Sequence, residues 1–117
     1  MKDCNCIFCK IMKGEIPSEK VYEDDDVFVI RDIDPKAEKH YLMIPKRHYK
    51  TIAEMTDDDA AALIRGLRRI PGLVDRLGLS GGYRLVINQG DDAGQTVFHL
   101  HVHILGGQPL DFPDLRK

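Results

Sequence analysis

The sequence lacks any long apolar run. Between Met1 and Lys10 stand Lys2, Asp3, Asn5 and three cysteines, where a secretory leader needs an uninterrupted hydrophobic stretch. No later run approaches the length that spans a bilayer, so the expectation is a cytoplasmic protein with no membrane partner. An excess of one charge is missing as well: 17 Lys and Arg stand against 19 Asp and Glu, a net charge of −2. Bulk attraction to a nucleic acid backbone or an anionic membrane is therefore excluded, whereas a small phosphorylated ligand needs only local donors. No linker, low-complexity stretch or repeat divides the 117 residues, which read as one domain, 1–117. A chain of this size buries roughly 65% of the surface its unfolded form exposes, enough for a core without disulfide staples. Its cysteines, Cys4, Cys6 and Cys9, are odd in number and crowded at one end. In a reducing compartment such clustering favours metal binding over cross-linking.

Ile7 to Met12 has room for a helical turn, closed by Gly14 and Pro17. Glu19 to Glu23 and Val27 to Arg31 read as strands joined by the acidic turn Asp24-Asp25-Asp26, and His40 to Ile44 as a third strand. Thr56 before Asp57, Asp58 and Asp59 marks a helix start, with a hydroxyl to cap N–H groups and acids at the positive end of the dipole. Leu63, Leu67, Ile70, Val74 and Leu77 form one helical stripe, which Pro71 should kink or break. Arg65, Arg68 and Arg69 are read as a solvated helix face rather than a phosphate site. Tyr83 to Asn88 and Phe98 to Leu105 complete five strands around one main helical region. The expected fold is α+β, with helix on one face of an antiparallel sheet.

The densest chemistry lies in the last strand. Alternate side chains of a strand share a face, so His99, His101 and His103 point one way, roughly 6.5 to 7 Å apart, and Phe98, Leu100, Val102 and Ile104 face the core. One histidine on a wet face is unremarkable, but three in perfect alternation call for a function. Either a His-x-His pair shares a metal ion, or a neutral imidazole acts as a nucleophile with its neighbours positioning substrate and moving protons. The preceding loop favours the nucleophile. Gly90 and Gly94 permit close backbone approach, while Asn88, Gln95 and Thr96 offer neutral groups suited to a phosphate or sugar.

The run His99-Leu100-His101-Val102-His103-Ile104-Leu105 resembles the signature of the histidine triad (HIT) family. Cys6-Ile7-Phe8-Cys9, Gly14-Glu15-Ile16-Pro17, Ile44-Pro45-Lys46-Arg47-His48, Gly94-Gln95-Thr96-Val97-Phe98 and Leu105-Gly106-Gly107 are similar to its Hint branch, the histidine triad nucleotide-binding proteins. The resemblance implies a HIT-like fold with a five-stranded antiparallel sheet. It also implies hydrolysis of purine nucleoside phosphoramidates, of the adenosine 5′-monophosphoramidate type, through a covalent nucleotidyl-histidine. On that basis His101 is the nucleophile, His103 its phosphate-side neighbour, His40 a proton carrier, and Thr96 a donor where relatives have serine. Asp32 would bind ribose. Phe8, Ile11, Ile30 and Ile33 would enclose the base, and Asn88, Gly94, Gln95 and Thr96 would line the phosphate side.

Many bacterial-type relatives hold a structural zinc with the residues that match Cys6, Cys9, His48 and His99, which implies one zinc per chain and no catalytic metal. Cys4 is left as a surface thiol. The resemblance further implies a homodimer whose tail reaches the partner's site, with Phe112 where many members have tryptophan. Two other functions remain open at this stage: hydrolysis of dinucleoside polyphosphates or nucleotidyl adducts, and nucleotide or partner binding with little catalysis.

Overall fold

The computed structural model describes residues 6–111 and 113–116; Cys4 and Phe112 lie outside them. The chain begins with α1 (Ile7–Met12), then the hairpin β1 (Lys20–Glu23) and β2 (Val27–Arg31), and β3 (Lys39–Pro45). It continues through α2 (Asp57–Arg69), a 3₁₀ turn at Ile70–Gly72 and the short α3 (Val74–Leu77), and ends with β4 (Tyr83–Val86) and β5 (Val102–Gly106). The five strands form one antiparallel sheet in the order β1-β2-β3-β5-β4. No helix among the described residues is long and apolar enough to cross a membrane.

The β1–β2 turn uses its acids differently. Asp24 accepts from the backbone N–H groups of Asp26 and Val27 at 2.7 and 3.0 Å and from the Tyr22 hydroxyl at 2.5 Å, which shapes the turn. Asp26 is bound mainly by α2, where Arg65 grips its carboxylate with two bonds of 3.0 Å and Arg69 adds a third, Arg69 also pairing with Asp24 at 2.8 Å. Two of the three arginines read as a solvated face are thus tied to the sheet.

Helix α2 starts as its sequence requires. The Thr56 side chain accepts from Asp59 N–H, and the Asp59 carboxylate accepts in return from Thr56 N–H. Pro71 ends α2 in the 3₁₀ turn, yet Leu63, Ile70 and Leu77 stay buried, and Leu67 and Val74 pack against the same core as Val27, Met43, Val102 and Ile104. The opposite face of the sheet carries a second apolar cluster, in which Phe8 and Ile11 of α1 meet Phe28, Ile30, Leu42 and Ile44.

Two strand expectations are corrected. β5 begins at Val102 rather than Phe98, and β4 ends at Val86 rather than Asn88. Residues 98–101 leave the ladder because Leu100 N–H bonds the Tyr49 carbonyl at 2.8 Å, so β4 has no partner beyond the Val86–His103 pair. Phe98, placed on the core face by alternation, is 52% exposed. Leu100, Val102 and Ile104 do face the core.

Candidate functional site

The three alternating histidines share the face that carries α1. The Phe8 ring stands edge-on to His99 and His101 at centroid distances of 5.8 and 5.0 Å, and His101 lies 5.2 Å from His103. His99 is fully buried, while His101 and His103 are half-buried. These different exposures go with different hydrogen-bond partners, and those partners decide which ring nitrogen is available. A carbonyl can only accept and a peptide N–H can only donate.

His101 donates from Nδ1 to its neighbour's carbonyl, His99 O, at 2.8 Å. In the neutral ring the lone pair is therefore on Nε2. His99 donates from Nε2 to Pro45 O at 2.8 Å, which leaves its lone pair on Nδ1. Next to that nitrogen are His48 Nδ1 at 3.0 Å, Cys6 Sγ at 3.4 Å and Cys9 Sγ at 3.7 Å, and Cys9 Sγ is 3.3 Å from His48 Nδ1. Burial pushes the His99 imidazole down to about 4, so it is a neutral donor at physiological pH. All four ligand atoms lie within 4.8 Å of one another. Tetrahedral zinc, with bonds of about 2.0–2.3 Å, sets its ligand atoms roughly 3.3–3.8 Å apart, close to these spacings. Cys6 is a free thiol and Cys9 is disulfide-bonded in this structure. The complete donor set is therefore that of the chain with Cys9 reduced.

His40 and His103 form the third group. His40 Nε2 lies 2.9 Å from His103 Nδ1 and 3.4 Å from Asp32 Oδ2, and its Nδ1 accepts from Lys36 N–H at 3.0 Å. Burial lowers the pKa of His40 and pushes that of His103 down to about 4, the latter helped by His101 and His40. Beside this pair, a cavity of about 710 Å³ opens between His40, His103, Val86, Asn88, Arg84 and the C-terminal tail. Arg84 ties the tail down by bonding the carbonyls of Pro113 and Leu110 at 3.1 and 3.5 Å.

The remaining predicted residues divide. Phe8, Ile11 and Ile30 are buried together, whereas Ile33 is 100% exposed and outside that cluster. Thr96 is exposed at the loop surface, and Gly94 adopts a left-handed conformation with φ of 85°. The Gln95 amide is committed to the loop itself: Oε1 accepts from Gly90 N–H, and Nε2 donates to Lys50 O and Val97 O. Sequence reasoning missed the backbone groups that orient the imidazoles, Pro45 O, His99 O and Lys36 N–H. No residue-type signal marks a peptide group.

A five-stranded antiparallel sheet, with three alternating imidazoles on its last strand and the segment leading into it and a short N-terminal helix on the same face, defines the histidine triad architecture. A family model for the HIT domain matches residues 13–110, and the chain belongs to that family. Its fold is similar to a crystal structure of a HIT family hydrolase from Legionella pneumophila Philadelphia 1, with a TM-score of 0.86 and 47% identity over 93% of this chain and 98% of that one. A histidine triad nucleotide-binding protein from Candida albicans is similar at a TM-score of 0.76 and 39% identity, over 86% of this chain and 73% of that one. An uncharacterized HIT-like protein of Methanocaldococcus jannaschii is 45% identical over 100 residues, 86% of this chain and 77% of that protein.

Proposed function

We propose that this chain is a nucleotide-binding hydrolase that cleaves purine nucleoside phosphoramidates through a covalent nucleotidyl-His101. The observation that carries this reading is the 2.8 Å bond from His101 Nδ1 to His99 O, which leaves the Nε2 lone pair available for attack. Nε2 attacks the α-phosphorus, a nitrogen–phosphorus bond forms, and the bond from phosphorus to the amine breaks. The amine departs with a proton relayed through the Thr96 hydroxyl, the group assigned to that side, and the proton that the attacking water later releases restores it; such assistance is typically worth about 10²- to 10⁴-fold. Water then attacks phosphorus, the bond to His101 breaks, and the nucleoside monophosphate leaves.

Phe8, Ile11 and Ile30, which cluster together, are assigned as an apolar wall for the base, the exposed Ile33 as a further contact to the base, and Asp32 as the ribose ligand. Asn88 and the backbone around Gly94 serve the phosphate, and Gln95 acts by holding the loop that presents Thr96. The cavity beyond His103 receives the leaving group. With Cys9 reduced, Cys6, Cys9, His48 and His99 hold one structural zinc, supported by the His99 tautomer that Pro45 O fixes. Zinc there joins α1 to the start of the histidine segment and takes no part in the chemistry. The chain works in the cytoplasm as a homodimer. That assembly is supported by the edge strand β4, whose Tyr83 and Leu85 side chains are 36% and 41% exposed.

The test is turnover of a fluorogenic adenosine phosphoramidate beside diadenosine tetraphosphate, with wild type and His101→Ala. Hydrolysis of the phosphoramidate by wild type, lost by orders of magnitude in His101→Ala, is the expected result. Equal turnover by both proteins overturns the nucleophile, and a preference for the tetraphosphate overturns the substrate class.

A further inference from the structure

We propose that the peptide N–H of Lys36 is a positioning group: acting through His40, it fixes His103 as a hydrogen-bond donor through Nε2. Each step follows from what the partner can do. A peptide N–H only donates, so the His40 Nδ1 that it meets at 3.0 Å is the lone-pair nitrogen. His40 is buried with its pKa held below the usual imidazole value, so the ring is neutral at physiological pH. Its single proton is therefore on Nε2.

That proton has two acceptors within reach, His103 Nδ1 at 2.9 Å and Asp32 Oδ2 at 3.4 Å, and the imidazole is the nearer. His103 Nδ1 thus accepts, and the proton of its own neutral ring is on Nε2. His103 meets a ligand as a donor, the role a phosphoryl oxygen requires; that last step rests on the hydrolase reading. The same tautomer excludes Asp32, His40 and His103 as a metal cage, although their ligand atoms lie within 4.8 Å of one another. His40 Nε2 has no lone pair to give while Lys36 N–H occupies Nδ1.

The local fold holds this arrangement in place. Asp32 Oδ1 accepts from Asp34 N–H at 2.8 Å, and Asp32 N–H bonds His40 O at 3.0 Å, which closes the segment on β3 and aims the Lys36 peptide at the ring. Because the working group is a peptide bond, every residue except proline can supply it at position 36.

The test reads the tautomers directly, by long-range ¹H–¹⁵N correlation of the histidine rings in the full chain at neutral pH. The expected wild-type pattern is an unprotonated Nδ1 and a protonated Nε2 on both His40 and His103. Lys36→Ala keeps the N–H and should keep that pattern. Lys36→Pro removes it and should mix the His40 tautomers, with kcat/KM for an adenosine phosphoramidate about 10- to 100-fold below that of Lys36→Ala. A protonated Nδ1 on wild-type His40 overturns the proposal without any variant, as does a folded Lys36→Pro chain with the wild-type pattern and the activity of Lys36→Ala. A wild type with the expected tautomers but no turnover supports the positioning and overturns the hydrolase reading instead.

Discussion

His101 and His99 are linked by their own backbone: Nδ1 of His101 donates to the carbonyl of His99 at 2.8 Å. This bond separates two functions only two residues apart, in the segment that leads into β5. The His99 imidazole turns toward the cysteines, and its carbonyl orients the neighbouring ring for the opposite task. The first prediction concerns that ring. A phosphorus–nitrogen bond to imidazole survives alkali and breaks in acid, so mixing the wild type with an adenosine phosphoramidate and quenching in alkali should give a nucleotidyl adduct by intact mass. The adduct should vanish after an acid quench and be absent from His101→Ala. An adduct on the alanine variant would place the nucleophile elsewhere.

The second prediction concerns the cysteines. Reduced chain supplied with zinc should hold one ion per chain by elemental analysis. It should also melt at higher temperature than the same chain under a chelator, since a ligand bound only by the native state stabilises it by mass action. Cys9→Ser should weaken zinc affinity and abolish most of that thermal gain. His101→Ala, which leaves all four ligands in place, should load normally. A Cys9→Ser protein that binds zinc as the wild type does would remove this residue from the site.

Much of this was legible in the sequence. Thr56 with Asp59 announced the helix cap, the stripe from Leu63 to Leu77 kept its phase across Pro71, and the histidine alternation placed three rings on one face. What escaped were relations that no local pattern carries. Alternation assigned Phe98 to the core, but the chain there pairs with the Tyr49 carbonyl outside the sheet. The arginines of α2 read as solvated until the fold set Arg65 and Arg69 against Asp26. Gln95 read as a phosphate donor, whereas its amide is consumed by three backbone groups of the loop and its surroundings.

Asp26 gives the pH prediction. The Arg65 guanidinium, seconded by Arg69 and opposed by burial, holds its carboxyl at about 2 instead of the usual 3.8. A carboxyl whose folded pKa is lowered contributes stability that is fully present above its unfolded pKa and is lost as pH falls through the folded one. The Asp26 contribution should therefore fade between about pH 4 and pH 2. Asp26→Asn should lower the melting temperature by a few degrees at neutral pH, with the gap from wild type closing over that acid range. Because Arg65 is more than half exposed, salt should shrink the gap as well. A gap independent of pH would mean that Asp26 acts by shape alone.

Gly66 tests how α2 is seated on the sheet. It is buried in the middle of the helix, and a Cβ there would stand 2.6 Å from Val27 Cγ1, 3.3 Å from Val27 Cγ2 and 3.4 Å from Met43 Sδ. Val27 is fully buried and branched at Cβ, so it has little room to turn away. Alanine gains about 0.5–1 kcal/mol in helix propensity over glycine, but forcing a methyl into a packed contact costs about 1–3 kcal/mol. The packing cost wins, and Gly66→Ala should destabilise the chain by about 1 kcal/mol net, lowering the melting temperature by about 4 °C. Gly72→Ala is the matched control: its Cβ would meet nothing within 4 Å and its φ lies outside the left-handed region. That substitution should be neutral or slightly stabilising, since it only narrows the unfolded ensemble. If Gly66→Ala melted at or above the wild type, the close approach of α2 to β2 would not depend on the missing side chain.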